Sequence, residues 1–493
     1  MHHTLTHFAN HLLRGAMLTI VASMLGACAT NPVTGEQDFV LMSEEQEISL
    51  GRKYSAEIIK EMPPYDHPGL ARLVQEVGEK VAANSHRPEL IYRFSVLDST
   101  SVNAFALPGG YIYITRGLLA YLNSEAELAA VLGHEIGHVT ARHSVRQHST
   151  ATATGILGAV LAASTGIQGA DTLTNLAGTA IVRGYGREHE LEADRLGAGY
   201  LAKTGYDPQG MLQVVRVLKD QETFDKQVAE LEDREPRAYH GLFSTHPDND
   251  KRLQEVIAAA GSQRAPGPAR TGRDSFLQTL DGMTFGAREA DGIVRNHHFY
   301  HKDLDFALTF PDGWRIDNEA DRIVAGSRDS DGIVQVTVTD LNKRITPQEF
   351  MRSRMHLENM QGGKAFTTGG FQGYTAIADG KTPWGMRAVR YVVIYRDTSA
   401  WLFAGAAKER GNTDKYHGAT LATASSYRPL NDEEQALASE QHLKIISVPA
   451  GTRYAELART SPIANYPEQQ LRLLNGDYPD GEPETAQQMK IVH

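Results

Sequence analysis

The pentapeptide His134–His138, with the sequence HEIGH, constrains the fold of this chain more than any other feature. On a helix, residues four apart lie on one face with Cβ atoms about 5–6 Å apart, so both histidines can bind one zinc ion. This is the HExxH pattern, in which the glutamate, here Glu135, takes a proton from the metal-bound water. The local sequence also predicts that this motif lies on a helix, because Ser124 and Glu127 match a capping box at its start and apolar residues then recur at helical spacing. The sequence therefore predicts an amphipathic zinc helix that carries a general base.

A third metal ligand is expected from a second helix, because catalytic zinc usually has three protein ligands. Residues 188–197 have a helical pattern in which Glu190 and Asp194 are four apart and share a face. Glu190 can therefore bind the metal while Asp194 accepts a hydrogen bond from the other ring nitrogen of a liganding histidine. Three neighbours compete with Glu190 for the role of third ligand: Glu188, His189 and Glu192. Of these, Glu192 points away from the face that Glu190 and Asp194 share and is interpreted as a solvated charge.

HEIGHVTARH followed by ELEAD resembles the HtpX/BepA-type zinc metallopeptidases, which are related to the CaaX prenyl endopeptidases. NPVTGEQDFVLMSEEQEISLG, NAFALPGGYIYITRGLL and STHPDNDKR agree, so the resemblance covers roughly residues 31–260. It implies one Zn²⁺ per subunit, with the glutamate of an E-x-x-A-D segment, here Glu190, as third ligand. It also implies a periplasmic protease linked to outer-membrane protein quality control.

Two further histidines lie near these motifs. The resemblance favours a zinc-site role for His246, which either occupies the water position and keeps the enzyme inactive or donates a hydrogen bond to the tetrahedral intermediate. The alternative is a loop histidine that caps a helix or binds a carbonyl. His143 is nine residues after His134 and is expected to face the solvent on the opposite side of the helix.

A strand hairpin is predicted just before the zinc helix. Asn103, Ala104, Phe105 and Ala106 belong to its first strand, a Pro-Gly-Gly turn follows, and residues 111–115 form the second strand. An extended substrate peptide could add to the exposed edge through backbone hydrogen bonds, which predicts broad sequence tolerance and a preference for unfolded segments. The alternative is an ordinary sheet edge.

The N-terminus indicates export. Residues 1–27 have the pattern of a secretory signal peptide, and the sequence Leu-Gly-Ala before Cys28 is typical of a bacterial lipobox. Cys28 is the only cysteine, so lipidation explains it and no disulfide within the chain is expected. Ala29 follows it, where lipoproteins of the inner membrane usually carry Asp, so the inner leaflet of the outer membrane is favoured. The alternative is a plain signal peptide.

Composition narrows the classes of partner. The net charge is −11, with 49 basic and 60 acidic residues, and the basic residues are not clustered. Nucleic-acid binding is therefore not expected. After residue 27 no apolar run of about 20 residues occurs, so membrane contact is expected only through a lipid anchor.

The remaining segments are predicted from local patterns. Residues 151–181 are rich in small residues and are interpreted as a buried helical hairpin or, alternatively, as a lid near the active site. Residues 262–296 are interpreted as a linker, and residues 297–430 as an α+β domain of unknown role without the tetratricopeptide period of BepA-type proteins. Residues 437–493 resemble a LysM βααβ module that would bind peptidoglycan, although a generic βααβ cap has the same pattern.

Together these patterns predict an α+β protein. A signal peptide (residues 1–27) precedes a mainly helical, gluzincin-type peptidase domain (residues 28–261) with a short edge-strand hairpin, followed by the sheet domain and the LysM-like module. The expected function is a zinc metalloendopeptidase of the bacterial envelope that hydrolyses misfolded or unassembled envelope proteins. The alternative is an envelope chaperone or scaffold with a self-inhibited zinc site, tethered to peptidoglycan.

Overall fold

The zinc helix begins where its capping residue predicts. In this computed structural model, which describes residues 28–152, 185–232, 236, 257–258, 267–319, 321–483 and 485–493, that helix is α4 (Glu125–Thr140). The Ser124 hydroxyl accepts a hydrogen bond from the Glu127 amide, as an N-cap should. The predicted helix is therefore confirmed, and its start is fixed by its own sequence. It is not amphipathic as predicted, because every residue of α4 except His134 is buried.

Helices dominate the part of the chain around α4. They are α1 (Glu44–Glu61), α2 (Pro68–Ala82), α3 (Arg116–Tyr121), α5 (Arg187–Thr204) and α6 (Gly210–Leu231). A two-stranded sheet joins β1 (Cys28–Thr30) to β2 (Gln37–Phe39), and a three-stranded sheet contains β3 (Arg93–Leu97), β4 (Ala104–Leu107) and β5 (Tyr111–Thr115). The strand order of the latter is β3-β5-β4, with β5 parallel to β3 and antiparallel to β4, so β4 is an edge strand within the described ranges.

Small residues allow α4 and α5 to cross closely. A Cβ atom on Gly137 would lie 2.8 Å from the carbonyl oxygen of Ala193, and one on Gly197 would lie 3.0 Å from the carbonyl carbon of Gly133. Larger side chains here would push the helices apart. The crossing therefore fixes the distance between the HExxH face of α4 and the acidic face of α5.

A second unit is built on an antiparallel sheet of seven strands. Its strand order is β10-β11-β12-β16-β15-β14-β13. The strands are β10 (Arg315–Asn318), β11 (Ile323–Gly326), β12 (Gly332–Asp340), β13 (Gln361–Thr368), β14 (Phe371–Thr382), β15 (Gly385–Arg396) and β16 (Ser399–Ala407). A smaller sheet contains β7 (Ile293–Arg295), β8 (His298–His301) and β9 (Phe306–Thr309), and the helices are α8 (Pro347–Ser353), α9 (Thr413–Ser425) and α10 (Asp432–Leu437). The predicted α+β class is confirmed, and this sheet is antiparallel as predicted.

The segment predicted to be a linker contributes to the core, so that interpretation is wrong for much of residues 262–296. It contains α7 (Arg273–Leu280) and β6 (Thr284–Phe285), and Phe276, Leu277 and Leu280 are completely buried. The interpretation rested on the polar, Pro/Gly-rich start at 262–273, and it missed the helix with buried apolar side chains that follows directly.

The C-terminal segment has the predicted order of strand, two helices and strand. It consists of β17 (Gln441–Val448), α11 (Tyr454–Ala458), α12 (Pro467–Asn475) and β18 (Gln487–Val492), and β17 pairs with both β18 and β6. Its buried residues Leu443, Leu471 and Met489 belong to the same apolar cluster as the helices around α4. Its packing is therefore not that of a separate module, while glycan binding and the predicted domain boundaries stay predictions.

No helix in the described ranges combines the length and the apolar character needed to cross a membrane.

Candidate metal centre

Three donor groups from α4 and α5 converge. The Nε2 atoms of His134 and His138 are 3.0 Å apart, as residues four apart on one helix allow. Glu190 faces them from α5, with Oε2 3.5 Å from Nε2 of His134 and Oε1 3.7 Å from Nε2 of His138. Among the described residues this is the group of His, Cys, Asp and Glu side chains that could hold a metal ion. The structure thus brings together the three residues that the sequence singles out as ligands.

The spacing and charge of these donors fit a divalent metal. Tetrahedral bonds of about 2.0–2.1 Å would place ligand atoms roughly 3.3 Å apart, close to the three separations here. Burial lowers the pKa of His134, but the hydrogen bonds and charges of Asp194 and Glu190 outweigh it and raise that pKa well above its usual value. The pocket therefore attracts positive charge between the two histidines.

Asp194 lies on the far side of His134 from the other donors. Its Oδ1 atom is 2.8 Å from Nδ1 of His134. This contact favours the tautomer that carries the proton on Nδ1 and leaves the lone pair of Nε2 directed at Glu190 and His138. The geometry is the one expected from the i,i+4 relation of Glu190 and Asp194.

His143 contacts His138 and does not face the solvent, so the expectation for His143 is wrong. It is completely buried, and its Nδ1 atom is 2.8 Å from Nδ1 of His138. Helix α4 ends at Thr140 and Arg142 adopts a φ of 55°, so the chain turns and helical face counting no longer applies. Nothing in the local sequence predicts that left-handed residue, which is uncommon for arginine.

Glu192 completes a relay behind His143 and is not a solvated charge. Its Oε2 atom is 3.0 Å from Nε2 of His143, and Arg146 lies 3.4 Å from the same oxygen. If His138 binds a metal through Nε2, its Nδ1–H donates to His143, and Nε2–H of His143 then donates to Glu192. This arrangement needs a neutral His143, and burial does lower the pKa of that ring although Glu192 opposes it.

Tyr185 was not anticipated from the sequence. Its ring stacks on the His138 ring with centroids 4.0 Å apart, and its hydroxyl bonds to Ser144. Burial raises its pKa, so the phenol stays neutral and forms an apolar wall beside the histidine. No motif marks this residue, since it contacts the site only through the fold.

The other candidates have different positions. Glu188 is exposed at the start of α5, and His189 stacks on His143 with centroids 4.4 Å apart instead of joining the donor group. Glu135 is completely buried on α4, one residue from His134. His246 lies outside the described residues, as does 153–184, the greater part of the segment interpreted as a hairpin or lid.

The predicted substrate strand is an edge in the sheet that the structure describes. Ala104 and Ala106 are buried, and Phe105 is half-buried. Asn103 precedes the strand, and its backbone N–H donates a hydrogen bond to the Thr115 hydroxyl. The backbone on the other side of β4 belongs to no described strand pairing. Such an edge can accept an added strand.

Comparison with known proteins gives consistent similarities. Residues 68–260 match the family model described as peptidase family M48. The β-barrel assembly-enhancing protease of Yersinia pestis is 30% identical over 271 residues, which cover 52% of this chain and 53% of that protein. The protein of that name from Escherichia coli K12 is 29% identical over 284 residues, covering 54% of this chain and 56% of that one. The mitochondrial metalloendopeptidase OMA1 of Arabidopsis thaliana is 36% identical over 202 residues, covering 40% and 38% of the two chains. The chain thus spans about half the length of the first curated relatives that it matches.

Proposed function

Because residues 68–260 match the model of peptidase family M48, we propose that this protein is a zinc-dependent metalloendopeptidase of the bacterial cell envelope. Its substrates would be misfolded or unassembled envelope proteins. One observation carries the proposal: the donor atoms of His134, His138 and Glu190 lie within 4.8 Å of one another beside the buried Glu135. A structural role for the histidines alone would not need that glutamate.

The residues of the site have distinct tasks. His134 and His138 would hold zinc through their Nε2 atoms and Glu190 through its carboxylate, while Asp194 and His143 orient the two rings. When bound, zinc polarises a carbonyl group and makes a nearby water more acidic. Glu135 accepts the proton of the attacking water and then delivers it to the leaving amine, so no covalent intermediate with the protein forms.

Substrate recognition is assigned to the edge of β4. A peptide that pairs with Asn103, Ala104, Phe105 and Ala106 is held mainly by its backbone, so many sequences fit provided that they are unfolded. This property suits an enzyme that removes proteins which have failed to fold.

Location and regulation complete the proposal. Lipidation at Cys28 would anchor the protein to the inner leaflet of the outer membrane, on the periplasmic side. His246 would act at the zinc, either as a switch that blocks the water position or as a donor to the tetrahedral intermediate. A peptidoglycan-bound scaffold with a closed zinc site is the second candidate, favoured by the βααβ order of the C-terminal segment.

Cleavage of casein, an unfolded model protein, tests the proposal. The mature wild-type chain or its His246→Ala variant should release fragments, and Glu135→Gln should reduce the rate about 10²- to 10⁴-fold, as expected for loss of a general base. The exposed Glu188→Gln on α5 is the matched control and should keep the wild-type rate. Zinc content measured on each variant should stay the same.

Two outcomes would contradict the peptidase proposal. The first is equal cleavage by wild type and Glu135→Gln, because the site would then not carry the reaction. The second is the absence of cleavage by every zinc-loaded variant, which would favour the scaffold. Cleavage by His246→Ala alone would support both the peptidase and the switch.

A further inference from the structure

A cavity of about 390 Å³ lies between the peptidase part and the seven-stranded sheet, apart from the metal centre. One wall consists of Glu61 at the end of α1, Pro63, and Asp98 directly after β3. The opposite wall comes from β8, β9, β11, β12, β16 and the loops beside them. Its volume falls within the range of about 300–1,000 Å³ that is usual for ligand sites.

The floor of the cavity is apolar and reaches the core of the sheet. Phe299, Phe306 and Trp401 line it and are almost fully buried, with Phe306 and Trp401 ring centroids 4.5 Å apart. At the mouth, Leu304 and Val338 are 47% and 46% exposed. Large apolar side chains with that exposure are few in the described ranges, and two of them here border the same opening. Such a mouth indicates a surface that binds an apolar group.

The rim carries an excess of negative charge. Five carboxylates line it with two guanidinium groups: Glu61, Asp98, Asp291, Glu319 and Asp321 with Arg288 and Arg322. Arg116 lies behind the wall and pairs with Asp98 at 2.6 Å, so the excess is two negative charges. Both arginines are already neutralised, since Arg288 lies 3.0 Å from Asp98 and 2.7 Å from Asp291, and Arg322 lies 2.6 Å from Glu319. An anion would find no uncommitted positive charge among these lining residues. A ligand with an apolar group next to a cation matches both floor and rim.

The cavity opens at the end of the sheet where the edge strand begins. Leu97, just before Asp98, is in register with Thr115 of β5, whose amide donates to the carbonyl of Asn103 at 3.0 Å. Adjacent strands lie about 4.8 Å apart, so a peptide added to β4 would be roughly 14 Å from β3. At about 3.3 Å per residue, four or five extended residues span that distance.

We propose that this cavity is a docking subsite for the protein substrate. It takes an apolar side chain adjacent to a lysine or arginine, four or five residues beyond the stretch that pairs with β4. The inference rests on the proposed peptidase function, since it assigns the cavity to the same substrate. It adds a preference for apolar, basic segments to a backbone-reading edge that has little preference of its own.

Trp401 provides a direct probe of binding. The chain has three tryptophans, so Trp314→Phe and Trp384→Phe leave Trp401 as the single reporter in the cavity. Adding Glu135→Gln prevents cleavage, and the full chain is titrated with a short peptide without aromatic residues and with alternating Leu and Lys. We expect a saturable change in Trp401 fluorescence. The same peptide with Glu in place of Lys should bind about tenfold more weakly because of the acidic rim.

A charge reversal at the rim tests the site itself. Asp321 and Asp312 are both on the sheet part and have side chains 80% and 94% exposed, but only Asp321 lines the cavity. Asp321→Lys should weaken the Leu-Lys peptide by about threefold to tenfold, and Asp312→Lys should leave its affinity unchanged. In otherwise wild-type enzyme, Asp321→Lys should raise KM for a substrate with that segment and keep kcat.

The results separate this inference from the peptidase proposal. Casein cleavage that depends on Glu135, together with silent Trp401 fluorescence or equal binding of the Glu and Lys peptides, would overturn the subsite and keep the peptidase. Peptide binding that Asp321→Lys weakens supports the subsite, whether or not cleavage is seen. Tighter binding of dodecanoate than of the basic peptide would assign the cavity to an anionic lipid and overturn the inference.

Discussion

Asparagine in place of Asp194 is expected to weaken zinc binding without unfolding the site. The substitution keeps the shape of the side chain and an oxygen that can accept the 2.8 Å hydrogen bond from Nδ1 of His134. It removes the negative charge that stabilises a histidine bound to a cation. The expected loss is therefore electrostatic and can be calculated from the geometry.

The magnitude follows from Coulomb's law. An ion at Nε2 of His134 would lie roughly 7 Å from the Asp194 oxygen, when a metal–nitrogen bond of about 2.1 Å and the ring are added to the hydrogen bond. The Asp194 side chain is 24% exposed, so an effective dielectric constant of about 40, between protein and water values, is appropriate. A unit charge then stabilises a divalent ion by about 2.4 kcal/mol, which corresponds to roughly 50-fold in affinity. This agrees with the 10- to 100-fold loss typical of such partners.

Competition with a chromophoric chelator measures the zinc affinity, and circular dichroism checks the fold of each variant. Glu192→Gln removes the same charge from a carboxylate that lies behind His143, roughly 12 Å from the ion, and should lose about tenfold by the same calculation. Glu188→Gln is the exposed control on the same helix and should lose nothing. A zinc affinity of Asp194→Asn within twofold of wild type would refute the reasoning, as would an equal loss in Glu188→Gln.

Three further predictions concern packing, burial and anchoring. Gly137→Ala should destabilise the protein by about 1–3 kcal/mol in urea unfolding, since its Cβ would meet the Ala193 backbone, whereas Gly418→Ala, with open space around it, should be neutral or slightly stabilising. Burial lowers the pKa of Lys490 to about 7, so between pH 7 and 10 the unfolded state binds more protons and the free energy of unfolding should rise with pH. Lys490→Met should lack that rise of up to about 1.4 kcal/mol per pH unit, and equal slopes would contradict it. Cys28→Ser should abolish labelling by radioactive palmitate and leave casein cleavage intact, and persistent labelling would exclude lipidation at this residue.

The parts of the site that were predictable depend on spacing within one helix. His134 and His138 on α4, and Glu190 and Asp194 on α5, occupy the positions that a period of 3.6 residues gives. The close crossing of the two helices also has a counterpart in the sequence, because glycines at 133, 137 and 197 lie at the contact between them. These features are local in sequence, and the helix geometry carries them into space without further information.

The features that were missed depend on chain reversals and on distant contacts. His143 reaches His138 only because Arg142 has a left-handed backbone, and Tyr185 reaches it across 47 positions of sequence. Residues 262–296 have the composition of a linker at their start, yet the apolar side chains of α7 are buried against distant parts of the chain. The composition of a segment does not determine its burial, because burial depends on which other segments pack against it.

The C-terminal strand shows how far this dependence extends. Lys490 of β18 is completely buried, and its Nζ donates to the carbonyls of Ala120 at 2.7 Å and Leu122 at 2.8 Å, at the end of α3. Glu127, in the first turn of the zinc helix, supplies the negative charge that opposes the cost of burying this cation. The family match ends at residue 260, but a fragment cut there would lose Lys490 and leave two carbonyls and a buried carboxylate without it. The folding unit that positions the zinc helix therefore includes residues 441–493, and peptidase activity and the integrity of the C-terminal segment should be lost together.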